Sequence, residues 1–267
     1  MCSELAQVNL KYFDLKPNAG DQFSRRVAQK YLSQDVVSVG QRDCSEPNII
    51  LLGSILQWAD ENSLICGSGL IKGDLKLAHA PKGITCVRGP LTRAALASQG
   101  IESPARFADP GVLAPDLFPE EEKVEYSIGI VPHYVDADSR WLEATRERGC
   151  PVIDVKGPLE TYFRQMKQCA TIASSTLHGL IFAHALGIPA VWIELSDRVI
   201  GDGFKFYDYY GSLGRDRDRV KPIRIGGHET LEDIAARAEL PGGLAALRDD
   251  CLDALGQVKS LYEDAVR

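Results

Sequence analysis

Short apolar runs alternate with helical patterns in this chain, and the alternation starts twice. Residues 7–12, 48–52, 63–66 and 83–87 read as strands. A turn at 17–21 and helices over 23–32 and 90–98 lie among them, the last opened by Pro90, whose missing N–H costs nothing at a helix start. After Pro119 comes an acidic run, Glu120–Glu122 with Lys123, which reads as a solvated boundary. The pattern then resumes. Strands are predicted over 126–132, 151–155, 170–173 and 190–193, and helices over 138–148, 159–168 and 177–186. Such alternation favours parallel sheets covered on both faces. The fold class is α/β, with one half at 1–119 and another at 120–267, and a cleft where parallel strands end. A helical tail over 247–266 could pack back across both halves.

Composition narrows the function. The 267 residues are 45% hydrophobic, enough for a sizeable core, and a net charge of -7 argues against nucleic acid as a partner. A local pocket can still be positive and hold a small anion. The opening stretch MCSELAQVNLKYFDLKP lacks a basic region followed by an apolar one, so no signal peptide is expected. GLIFAHALGIPAVWI is too short and interrupted for a membrane span, and a cytoplasmic location follows. Seven scattered cysteines without a C-x-x-C pair read as reduced thiols, with Cys66, Cys86 and Cys169 buried. The five histidines have no metal-ligand spacing, so no metal is expected.

The richest motif is ASSTLHG, residues 173–179. A strand ends, Ser174 or Ser175 can cap a helix, and His178 falls in its first turn, where free N–H groups and a partial positive charge suit phosphate or carboxylate. The alternative is a histidine that only packs and caps. CVRGP places Arg88 at a strand end before a helix, either as a fork for an anion or as a surface ion pair. Asp109, in Asp-Pro-Gly, and Asn18 and Asp21, around Gly20, combine turn chemistry with cleft-facing positions. GSGLIKG (67–73) fits no phosphate-loop pattern and reads as a tight strand-end turn. GDGFKFYDYY (201–210) reads as a glycine-flanked loop whose aromatics, with Asp202 and Lys205, could hold a sugar or form a packed loop core. His184 reads as a core histidine.

VRGPLTR (87–93), ADPGVLAPDLF (108–118), VPHY (131–134), SSTLHGLIFAHALGIPAVWIE (174–194) and FKFYDYY (204–210) together resemble the polysaccharide pyruvyl transferases. They are most similar to exopolysaccharide members of the xanthan ketal pyruvate transferase type. That resemblance implies two Rossmann-like halves arranged as in GT-B glycosyltransferases. It also implies phosphoenolpyruvate as co-substrate, without a cofactor, and a sugar diol of an exopolysaccharide unit as acceptor, converted to a cyclic ketal with release of phosphate. Other branches carry arginine where this chain has Thr176. The donor's cation must then come from Arg88, Arg93 or Lys205, with Ser174, Ser175 and His178 completing the donor site. His178 would bind phosphate and serve as acid, and a carboxylate from Asp21, Asp109 or Asp202 would deprotonate the acceptor. Asn18, Asp21, Tyr207 and Tyr209 are the acceptor-side candidates. A lipid-linked oligosaccharide or polysaccharide acceptor implies peripheral contact with the inner face of the cell membrane. A nucleotide-sugar glycosyltransferase and a non-catalytic sugar-binding relative remain as alternatives.

Overall fold

A computed structural model describes residues 7–41 and 43–267. The first six residues of the opening stretch considered for a signal peptide, Cys2 included, lie outside these ranges. The first half contains β1 (Val8–Leu10), α1 (Ala19–Tyr31), β2 (Val36–Ser38), β3 (Asn48–Ile50), β4 (Ser63–Cys66), β5 (Gly83–Cys86), α2 (Pro90–Ala97) and α3 (Ala114–Leu117). The rest contains β6 (Gly129–Val131), α4 (Arg140–Glu147), α5 (Leu159–Lys167), β7 (Ile172–Ser174), α6 (Leu177–Ala185), β8 (Ala190–Glu194), α7 (Phe204–Ser212), β9 (Ile223–Arg224), α8 (Leu231–Ala235) and α9 (Leu244–Ala265).

The strands form two separate sheets, ordered β2-β1-β3-β4-β5 and β6-β7-β8-β9, and every pairing is parallel. β3, β4, β6 and β7 are buried along their whole length, as strands covered on both faces must be. Cys66, Cys86 and Cys169 are buried and free. No helix among the described residues is long and apolar enough to cross a membrane. The tail helix α9 returns to the first sheet, packing on β4 and β5, and Arg248 ties it to Asp116 of α3 at 2.9 Å.

Two of the contacts that join the sheets are an aromatic cluster and an ion pair. Phe23 of α1 meets Phe182 of α6 with ring centroids 4.8 Å apart, and Phe118 stacks on Phe163 of α5 at 4.1 Å. Each such pair adds about 0.5–1.5 kcal/mol beyond its buried area. The second contact is an ion pair. Arg88 Nε donates to Asp208 Oδ2 at 2.9 Å, and both side chains are fully buried. Asp208 also accepts from the Thr92 N–H and hydroxyl, which caps the first turn of α2. A side chain at Gly89 would stand 2.0 Å from the Asp208 carbonyl, so the glycine is what admits α7 this close.

Three expectations need correction. Residues 151–155 make only a single bridge, Val152 to Ile130, because Pro151 has no N–H to donate and Asp154 turns the chain by accepting from Lys156 N–H. The segment at 201–210 is not a loop throughout. Left-handed Gly201, Asp202 and Gly203 turn the chain, and α7 follows with Phe206 and Tyr209 on its buried face. The turn at 17–21 is in fact the start of α1, whose cap is Asn18.

Candidate active site

A cavity of about 260 Å³ opens beyond the carboxyl ends of β1, β3, β6 and β7. Both halves line it. Asn18, Gly20, Asp21 and Ser54 come from one side, and His133, Tyr162, Thr176, His178 and Lys205 from the other. A larger hollow of about 500 Å³ lies at the start of β8, lined by Arg215, Arg219, Lys221 and Arg237. None of the candidate donor, acceptor or catalytic residues named from the sequence lines it, and it sits away from the strand ends where open α/β sheets hold ligands.

Local rules build the cavity walls. The Asn18 side chain accepts from Gly20 N–H at 3.0 Å, starting α1. Thr176, not Ser174 or Ser175, caps α6 by accepting from Gly179 N–H at 2.8 Å. Two helix N-termini therefore converge on one space, each with first-turn N–H groups that lack intrahelical partners. His178, in the first turn of α6, packs so closely on Gly20 that an added Cβ would lie 2.3 Å from Nδ1. Its Nε2 faces Asp109 Oδ2 at 3.5 Å, and its ring stacks on Phe182 at 5.5 Å. Asp109 is held in turn by accepting from Gly111 N–H. At 3.5 Å the buried Asp109 carboxylate faces the imidazole without a hydrogen bond between Oδ2 and Nε2.

Electrostatics sharpen the picture. Burial raises the Asp21 carboxyl from 3.8 to about 7, against a pull downward from charge on His178. Asp21 can therefore both give and take a proton near neutrality. Burial, helped by the charge of Arg88, lowers Lys205 to about 8. No carboxylate among the described residues pairs with that ammonium. Burial and the charge of Lys205 push His133 down to about 3, so it stays neutral. The cavity offers a buried cation and two positive helix ends to an anion.

The profile of the polysaccharide pyruvyl transferase family matches residues 18–197. The chain belongs to this family. An uncharacterized protein of Acanthamoeba polyphaga mimivirus is 34% identical over 239 residues, 86% of this chain and 83% of that protein. The succinoglycan biosynthesis protein ExoV of Rhizobium meliloti is 32% identical over 178 residues, 63% of this chain and 54% of that protein. The chain thus spans about half of ExoV. The pyruvyl transferase match begins at the cap of α1 and ends after β8, so it includes both helix N-termini but not Lys205.

Several expected site residues lie elsewhere in the transferase. Arg88 is fully buried, with Nη1 donating to Ser54 and Nη2 to the Leu70 carbonyl, so each nitrogen of the fork is engaged inside the protein. It holds the cavity wall instead of lining it. Arg93 is exposed and donates to Ser103. Ser174 is fully buried, bonded to Val131 and Thr176. Ser175 and Asp202 line a separate hollow of about 100 Å³. Tyr209 is buried with its hydroxyl 3.0 Å from His184 Nδ1, and Tyr207 lies edge-on to Trp192 with the Arg217 guanidinium over its ring. Neither tyrosine presents a free face to a sugar. His184 is a core histidine. Asn18, Asp21, His178 and Lys205 do line the cavity, with Asp109 directly behind His178. The sequence motif VPHY contains His133 and Tyr134 but carried no site role for them, although their place just after a strand was a usable signal. For Ser54, Gln57 and Tyr162 there was none.

Asp21 makes a testable prediction. The fold keeps a proton on this carboxyl that the unfolded chain releases near pH 3.8, so stability should fall as pH rises from there to about 7 and then level off. Each pH unit separating the two titrations is worth about 1.4 kcal/mol. Asp21→Asn should therefore melt higher than wild type at pH 8 while losing transfer activity. Parallel slopes of melting temperature against pH in the two proteins would show that Asp21 titrates normally.

Proposed function

We propose that this transferase moves pyruvate from phosphoenolpyruvate to two hydroxyls of a sugar in an exopolysaccharide unit, closing a cyclic ketal and releasing phosphate. The observation that carries the reading is the convergence of the α1 and α6 N-termini and Lys205 on one cavity. A donor with both a carboxylate and a phosphate needs that much positive potential, and Lys205 supplies the cation that Thr176 does not. The arrangement of two parallel sheets around the cleft suits the GT-B-like architecture inferred from the family.

The chemistry follows from the residues at hand. A proton passes to the methylene carbon of the donor, with protonated Asp21 or His178 as its source. The neighbouring carbon becomes electrophilic, and one sugar hydroxyl adds to it. The second hydroxyl displaces phosphate, and the two hydroxyl protons leave through Asp21 and His178, which Asp109 keeps aligned. Phe13 and Trp58, with ring centroids 6.4 Å apart at the cavity rim, give the sugar an aromatic wall in place of Tyr207 and Tyr209. Gln57 Oε1, buried without a partner, can accept from a sugar hydroxyl. The acceptor is a polysaccharide unit carried on a lipid, so the protein meets the membrane only peripherally, from the cytoplasmic side.

The deciding experiment incubates the protein with candidate lipid-linked oligosaccharides and phosphoenolpyruvate, then reads the product by mass and NMR. A donor-dependent carboxyethylidene group bridging two hydroxyls is expected. An open enolpyruvyl ether, or a new glycosidic bond from a nucleotide sugar, would replace this reading.

A further inference from the structure

Tyr162 sits in α5 with its ring walled by aromatics, edge-on to Phe163 at 5.4 Å and to Phe182 at 6.1 Å between centroids. Phe182 also stacks with the His178 ring, with centroids 5.5 Å apart. The chain before α5 is pinned to the first turn of α1, where Ala19 N–H donates to the Val155 carbonyl at 2.7 Å. Tyr162 therefore lines the same cavity as Asn18, Gly20 and His178. It is only 1% exposed, and its hydroxyl has no hydrogen-bond partner among the described residues. By contrast, the similarly buried Tyr209 hydroxyl meets His184 Nδ1 at 3.0 Å.

An unsatisfied buried hydroxyl costs stability, and phenylalanine would pack the same apolar wall without that cost. A tyrosine there is explained by a partner that arrives from outside. Burial holds the hydroxyl protonated far above the physiological range, so it is available as a donor. The cavity it lines also holds two helix N-termini and Lys205, which favour an anion.

We propose that Tyr162 is a donor-binding residue, its hydroxyl donating to an oxyanion of phosphoenolpyruvate, an assignment that rests on the reaction proposed above. Tyr162→Phe tests it by removing one oxygen from an otherwise apolar contact surface. Calorimetry would compare wild type and variant for ligand-free melting and for binding of phosphoenolpyruvate, inorganic phosphate and pyruvate. The expected result is about tenfold weaker phosphoenolpyruvate binding, roughly 1.4 kcal/mol, in a variant that melts at the same temperature or higher. Loss on the inorganic phosphate arm would place the hydroxyl at the phosphate, and loss on the pyruvate arm at the carboxylate. Unchanged phosphoenolpyruvate affinity would overturn the assignment, as would a lower melting temperature, since that would mean the hydroxyl serves the fold. A wild-type protein indifferent to phosphoenolpyruvate would instead overturn the donor reading, and this contact with it.

Discussion

Arg88→Met is expected to lose about 3–5 kcal/mol of stability, the usual cost of stripping one partner from a buried ion pair. For a chain of this size that corresponds to a melting temperature lower by roughly 10 °C. The loss is large because Asp208 would stay buried with only Thr92 to satisfy it. Ser54 and the Leu70 carbonyl would also lose their donor. Replacing both members, as Arg88→Met with Asp208→Leu, should recover much of the loss, and the double-mutant cycle measures the coupling. Below the melting transition, donor affinity in Arg88→Met should stay within about threefold of wild type, well short of the loss expected for a charge-assisted contact. A stable variant with ruined phosphoenolpyruvate binding would return Arg88 to the donor site and refute its role as a clamp between the sheets.

Gly20→Ala should lower kcat by roughly a hundredfold, as displacements of about 1 Å at a reacting group commonly do. The new methyl would lie 2.3 Å from His178 Nδ1, so the imidazole has to move, and its 3.5 Å alignment with Asp109 goes with it. Stability should change little, because alanine favours a helix interior over glycine by about 1 kcal/mol and so offsets part of the clash. Steady-state kinetics beside a thermal melt separate the two effects. Full activity in the variant would mean that the ring position described here is not the working one.

These two expectations differ in how visible they were beforehand. The strand ends, the helix opened by Pro90 and the first-turn place of His178 could be read from the chain, because capping and periodicity act over a few residues. Reading 201–210 as a loop failed for a related reason. Glycines mark turns well, but α7 begins immediately after them, and its aromatics at 206 and 209 follow helical spacing onto a buried face.

Sequence alone determined the α/β alternation, the restart after residue 123 and the family, since each depends on local pattern or on ordered motifs. It also placed Asn18, Asp21 and His178 at strand-to-helix junctions, which in parallel sheets open on one edge. Tertiary structure decided which side chains meet. Arg88 and Asp208 are 120 positions apart, and nothing local says that the arginine's fork will be spent inside the protein. The same holds for the contact of Gly20 with His178, for the burial that brings Asp21 to about 7, and for the unsatisfied hydroxyl of Tyr162. Burial and partnership belong to the packed assembly of both sheets, so distant residues acquire their chemistry only when the two halves close on one another.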